Sequence, residues 1–174
     1  FLGRITMQKG PEYFVEAAAK VLQKTKNVRF VMAGSGDMMD AMIRLAAQRN
    51  IADRFHFTGF LRGKQVYEML ADSDALLCPS LDDPMPIVCT EAFQLCKPVI
   101  VSDHTGTAAF IRNGENGFLV KGGDAQSLAD GIKALIDSRM RLPEIGKRSH
   151  SIYSEYFSPE VFRKNIVRIF PSIS

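Results

Sequence analysis

At 174 residues, with 46% apolar and 24% charged side chains, the chain has the length and balance of one compact domain with its own core, which excludes a disordered or fibrous protein. The net charge of +3 arises from 22 basic and 19 acidic residues scattered along the chain, and this argues against nucleic acid as a partner. Cys78, Cys89 and Cys96 are odd in number and form no C-x-x-C pair, which points to a reducing, cytoplasmic compartment. No stretch reaches the roughly 18 apolar residues that a membrane helix needs.

Short apolar runs alternate with longer runs of helical period. The run FLGRI opens the chain as a first strand and breaks into turn residues after Ile5. A helix is predicted from Pro11 to about Lys24, because proline suits the first helical turn and Phe14, Ala17, Ala18, Val21 and Leu22 recur on one face. VRFVMAG follows as a second strand of the fully buried parallel type, and Gly34-Ser35-Gly36 turns it into a helix from Met38 to about Asn50. RFHFTGF is a third strand, with a helix from Gln65 to about Ala71. ALLCPS is a fourth, ended by Pro79. A helix over Pro86 to Leu95, the strand PVIVSD and a short strand at 117–120 come next, and helices at 125–138, 143–154 and 159–170 close the chain.

Six strands separated by helices predict an α/β fold, a doubly wound Rossmann-like parallel sheet with helices on both faces. Such sheets bind ligands beyond the carboxyl ends of their strands, where the strand order reverses. The usual order sets the first strand beside the fourth, so the loops after FLGRI and ALLCPS are expected to face each other across a crevice.

The first loop carries Gly3, Arg4 and, five positions on, Lys9. A planar guanidinium and a mobile ammonium are tools suited to a diphosphate, although two solvated cations beside a helix start read equally well from the residues alone. The second loop, Pro79 to Glu91, is stiffened by prolines and runs into a helix whose first N–H groups, near Met85 to Val88, can receive an anion. Glu91, within that helix, offers two oxygens to a ribose diol, or is simply a solvated helix face. Asp82 and Asp83 read as acids of the loop or as helix caps. Gly34-Ser35-Gly36 is only half of a dinucleotide fingerprint and follows the second strand; a tight turn beside the nucleotide is the better reading. His56, His104 and His150 lack partner spacing, and His104 alone falls near the crevice.

FLGRI with Lys9 and Gly10 behind it, the GSG turn, Pro79-Ser80 before the acidic loop, Glu91-Ala92 in the helix, PVIVSD and NGENGFLV together resemble the carboxyl-terminal domain of GT-B glycosyltransferases, specifically the large retaining family 4. The resemblance spans nearly the whole chain. It implies that Asp83 and Glu91 stand for a pair of acids with seven residues between them, Glu91 holding the nucleotide ribose and Asp83 the donor-sugar hydroxyls. It implies further that the backbone at Met85, Pro86, Ile87 and Val88 supports sugar and phosphate, that Arg4 and Lys9 clamp the diphosphate, and that Gly3, Gly34, Ser35, Phe60 and Leu61, with Arg62 more loosely, line the nucleotide side. Three positions depart from the pattern: Asp83 is one methylene shorter than the usual Glu, Cys96 stands where Gly is common, and Ala109 where many members carry an acid.

The reaction this resemblance implies is transfer of a sugar from a nucleotide diphosphate donor with retention, with Arg4, Lys9 and Asp83 at the chemistry. No metal is expected, since no ligand-spaced cluster of His, Cys and acids is present, and no cofactor beyond the nucleotide sugar itself. The chain, residues 1–174, would then be the donor half of a two-domain enzyme of polysaccharide, lipopolysaccharide or glycan synthesis. A sugar or lipid-linked acceptor would be recognised by an amino-terminal domain outside it, and the full-length protein could sit peripherally on a membrane. The start at Phe1, inside an apolar run, suggests a piece of a longer chain. Aromatics at Tyr153, Tyr156, Phe157, Phe162 and Phe170 exceed what one domain is expected to bury. The rival class is a non-catalytic nucleotide-binding or interaction module; a nucleotide-sugar epimerase would need a Tyr-x-x-x-Lys pair that the sequence lacks.

Overall fold

A computed structural model describes residues 1–170. Five strands form parallel ladders: β1 (Phe30–Ala33) with β2 (Phe55–Gly59), and β3 (Leu76–Cys78), β4 (Val99–Ser102) and β5 (Phe118–Val120) in that order. Helices α1 (Pro11–Leu22), α2 (Met39–Gln48), α3 (Lys64–Asp72), α4 (Ile87–Gln94), α5 (Ala125–Asp137), α6 (Leu142–Ile152) and α7 (Pro159–Ile169) follow the predicted order, with ends shifted by one or two residues. A π-helical turn at Tyr153–Phe157, which the periodicity did not foretell, separates the last two.

Helices cover both faces of the sheet because its strands are apolar on both sides, as buried parallel strands are. Within β3 and β4, Leu77 and Ile100 join the core of α1, α2 and α5. Their neighbours Leu76, Cys78, Val99 and Val101 join the core of α3 and α4. That two-residue alternation is the pleat itself. Phe14 of α1, 1% exposed, anchors the larger core through edge contacts to Phe30 and Phe55 and a tilted one to Phe1, with ring centres 5.6 to 5.7 Å apart.

The first predicted strand is corrected. FLGRI does run parallel beside β1, with Ala33 N–H donating to Phe1 O (2.9 Å), Gly3 N–H to Ala33 O (3.0 Å) and Ile5 N–H to Ser35 O (2.9 Å). Only Leu2 forms a ladder pair, however, and no ladder joins this segment to β3 among the described residues. On that side the contact is by side chains: Leu2 packs on the cluster of Leu76 and Cys78, while Phe1 shares the other cluster with Leu77. The expected neighbourhood of first and fourth strands therefore holds, but as a seam between two hydrogen-bonded pieces. Among the described residues the count is five strands, not six.

Candidate donor-nucleotide site

The two loops predicted to face each other do so at the carboxyl end of this seam. Leu81 N–H donates to Gln8 O (2.8 Å), Gln8 Nε2 donates to Asp82 O (2.8 Å), and Lys9 Nζ donates to Asp83 Oδ2. None of these partners lies within 70 residues of the other in sequence. The Gly34-Ser35-Gly36 turn closes a third side, and it needs its glycines: a Cβ at Gly34 would lie 1.8 Å from Gly3 O, and one at Gly36 would lie 2.3 Å from Ile5 O.

These loops enclose a cavity of about 540 Å³, within the range that holds drug-sized and nucleotide-sized ligands. Thirteen of the residues singled out from the sequence line it: Gly3, Arg4, Lys9, Gly34, Ser35, Phe60, Leu61, Asp83, Met85, Pro86, Ile87, Val88 and Glu91. Arg4 is exposed and forms none of the ion pairs found among the described residues; Glu91, half-buried one turn into α4, is likewise unpaired. The opening of α4 at Pro86 aims its first amides, those of Ile87 and Val88, where no helical acceptor precedes them. A cation, a mobile ammonium and a helix start thus gather on one cavity with a carboxylate able to accept a diol, an arrangement that can seat two phosphates and a ribose.

The floor was only partly legible. Cys78, Ser80 and Val66 also line the cavity, and the signal that could have found them is position: Cys78 ends β3, Ser80 follows it, and Val66 stands in the first turn of α3. Ser80 is 1% exposed, its carbonyl accepts from Ser102 Oγ, and its hydroxyl lies 3.5 Å from Cys78 Sγ. The Cys78 thiol is held below its ordinary value by a hydrogen bond from Cys89, helped by Ser80 and Lys9, while Cys89 is pushed up by the same bond and by burial. Both pack in the core of α3 and α4. Cys96 does not; it is exposed at φ +55°.

The acidic loop is braced from β4. Asp83, 8% exposed, donates its N–H to His104 O (3.3 Å) and accepts at its carbonyl from Gly106 N–H (3.0 Å). His104 itself lies outside the cavity lining, with Nδ1 3.0 Å from Leu81 O and its ring over Gly122. Arg62 also lies outside the lining, stacked on Phe60 at the rim with 5.3 Å from guanidinium carbon to ring centre. His150 caps the end of α4 through Phe93 O and Gln94 O, and His56 is exposed on β2. No group of three or more His, Cys, Asp or Glu placed to hold a metal occurs among the described residues.

A parallel sheet with helices on both faces, and with cations, a helix start and a free carboxylate gathered on a cavity at its strand ends, has the arrangement of nucleotide-binding α/β domains. The family model for glycosyl transferases group 1 matches residues 1–151, and the chain belongs to that family. It is 31% identical over 167 residues to an uncharacterized glycosyltransferase of Methanocaldococcus jannaschii, covering 95% of this chain and 43% of that protein. It is 29% identical over 148 residues to alpha-D-kanosaminyltransferase of Streptomyces kanamyceticus, covering 85% and 37%. The crystal structure of HepE from Anabaena in complex with UDP superposes with a TM-score of 0.89 at 23% identity, over 98% of this chain and 47% of that one. The chain thus spans less than half the length of each of these proteins. Among the described residues no helix is long and apolar enough to cross a membrane.

Proposed function

We propose that this chain is the donor-binding half of a retaining, nucleotide-diphosphate-sugar-dependent glycosyltransferase. The convergence of Arg4, Lys9, Asp83, Glu91 and the start of α4 on one cavity of about 540 Å³ carries the reading. The ribose would lie on Glu91, the diphosphate between Arg4, Lys9 and the amides of Ile87 and Val88, and the sugar against Asp83. As the glycosidic bond breaks, negative charge builds on the leaving diphosphate. Arg4 and the helix start stand ready to stabilise it, and Lys9 joins them once it leaves Asp83. We read this clamp as sufficient without a divalent ion.

Kinship with an enzyme that the name kanosaminyltransferase describes, and a fold shared with a UDP complex, support a nucleotide-sugar donor and a glycan or glycoside product. Acceptor binding is assigned to a second domain, so the chain alone would bind nucleotide without turnover. Its three free thiols suit a reducing cytoplasm.

The test is a thermal-shift panel of UDP, GDP, ADP and their sugar conjugates, with and without EDTA, on the wild type and Glu91→Ala. A ligand at a hundred times its Kd raises stability by about 2.7 kcal/mol. Stabilisation by one diphosphate, insensitive to EDTA and lost in Glu91→Ala, supports the reading. No response to any nucleotide refutes it in favour of an interaction module.

A further inference from the structure

The cavity's two cations are not equivalent. Arg4 is exposed and unpaired, whereas Lys9 is engaged with Asp83, their side chains 21% and 10% exposed. Of the two partners, Asp83 is the fixed one, because its backbone is bonded on both sides to the segment His104–Gly106. Lys9 reaches it on four methylenes from a single 3-10 turn, Met7–Lys9, and is the partner that can swing. A nucleoside diphosphate offers Lys9 a phosphate but offers Asp83 nothing. Drawing Lys9 away would strand a largely buried carboxylate, and an unpaired buried charge is costly. A nucleotide sugar offers both: phosphate oxygens for Lys9 and sugar hydroxyls to donate to Asp83 in its place.

Building on the donor-site reading above, we infer that the Lys9–Asp83 pair is a latch that lets the cavity discriminate a sugar-loaded nucleotide from the bare nucleoside diphosphate. Lys9 is surrendered to the diphosphate only when hydroxyls replace it at Asp83. The same latch re-forms when the sugar departs, weakening the hold on the leaving nucleoside diphosphate. The shorter Asp fits this role, since its carboxylate stays close to the braced backbone.

Calorimetric titration of the wild type, Asp83→Asn and Lys9→Met with UDP and UDP-glucose, and with GDP and GDP-mannose, tests it. Asp83→Asn frees Lys9, so the bare diphosphate is expected to bind about tenfold tighter, the size of one charge-assisted hydrogen bond, and preference for the sugar conjugate to collapse. Lys9→Met is expected to leave the bare diphosphate within about twofold while weakening the sugar conjugate by about tenfold. Melting curves check that each variant folds, and if Asp83→Asn does not, Lys9→Met carries the test alone. Nucleotide binding that persists while Asp83→Asn weakens or leaves unchanged the bare diphosphate, or while Lys9→Met weakens both ligands equally, overturns the latch but not the donor site. Failure of the wild type to bind any of the four ligands overturns both.

Discussion

Gly106→Ala should damage stability and sugar recognition together. A Cβ at this position would lie 1.8 Å from Pro84 O and 2.9 Å from Pro84 C, both backbone atoms that no rotamer change can move. Relief to an ordinary carbon–oxygen contact requires the two segments to part by roughly 1.4 Å. That separation breaks the bond from Gly106 N–H to Asp83 O, now 3.0 Å. Overpacking of this kind costs about 1–3 kcal/mol and the lost hydrogen bond about 1, so about 2–4 kcal/mol is expected in all. For a domain of this size that is a fall in Tm of about 4–16 °C. Because Asp83 moves with the loop, affinity for a nucleotide sugar should drop while that for the bare diphosphate does not. The control is Gly114→Ala, where added bulk meets nothing within 4 Å but φ is +78°; it should lose a little stability through backbone strain and no affinity. Differential scanning calorimetry with ligand titration reads both quantities. A Gly106→Ala protein with Tm within 1 °C of wild type, or one that loses both ligands equally, would refute the reasoning.

Cys96→Gly should stabilise the protein by about 1 kcal/mol in chemical denaturation, because Cys96 sits in the left-handed region at φ +55° just past α4, where Lys97 N–H bonds Ala92 O and Cys96 N–H bonds Phe93 O in the helix-ending pattern that glycine favours. A loss of stability would show that the side chain packs usefully in spite of its exposure. Asp124→Ala should lower Tm at neutral pH, since this side chain caps α5 by accepting from Gln126 N–H and Ser127 N–H. Those bonds, that to Ser127 foremost, hold its carboxyl below the ordinary 3.8. Its contribution is therefore complete above pH 3.8 and is lost as pH falls through the lowered value, so the Tm gap between wild type and variant should close in acid. A gap that persists at the acid end would argue that the cap acts through packing.

The parts of the site legible in the sequence were those set by strand order and chain direction. Alternating apolar runs and helices place Arg4 and Lys9 behind one strand and Asp83 to Glu91 behind another, and the rule for open α/β sheets makes those two loops neighbours without any coordinates. Local spacing could not show that Lys9 meets Asp83 across 74 positions, because that bond depends on how far the acidic loop is drawn over by Ser102, His104 and Gly106 from a different strand. FLGRI illustrates the opposite error. Its residues are those of a strand, but strand identity is a property of partners as much as of composition, and this segment has a ladder on one side only. Cys96 was visible as a departure from glycine, while its meaning required the backbone angle. Of the closing aromatics, Tyr156, Phe162 and Phe170 are left exposed, whereas Tyr153 and Phe157 pack against the core of α3 and α4.

The missing ladder at the seam and the position of the cavity follow from one another. A continuous ladder between FLGRI and β3 would draw the two chains to about 4.8 Å and spend their backbone groups on each other. Here the segment bonds only to β1, and the opening beside Leu2 and Cys78 becomes the floor of the cavity. Stability lost at the seam is recovered above it, where Leu81 N–H bonds Gln8 O and Gln8 Nε2 bonds Asp82 O, and below it, where Phe1 and Leu77 enter a common core. The loops are consequently rigid at their roots, and the freedom left in the cavity belongs to the side chains of Arg4 and Lys9. A site built in this way can offer a fixed carboxylate and movable cations to the same ligand, which is the combination that selection between a diphosphate and its sugar conjugate demands.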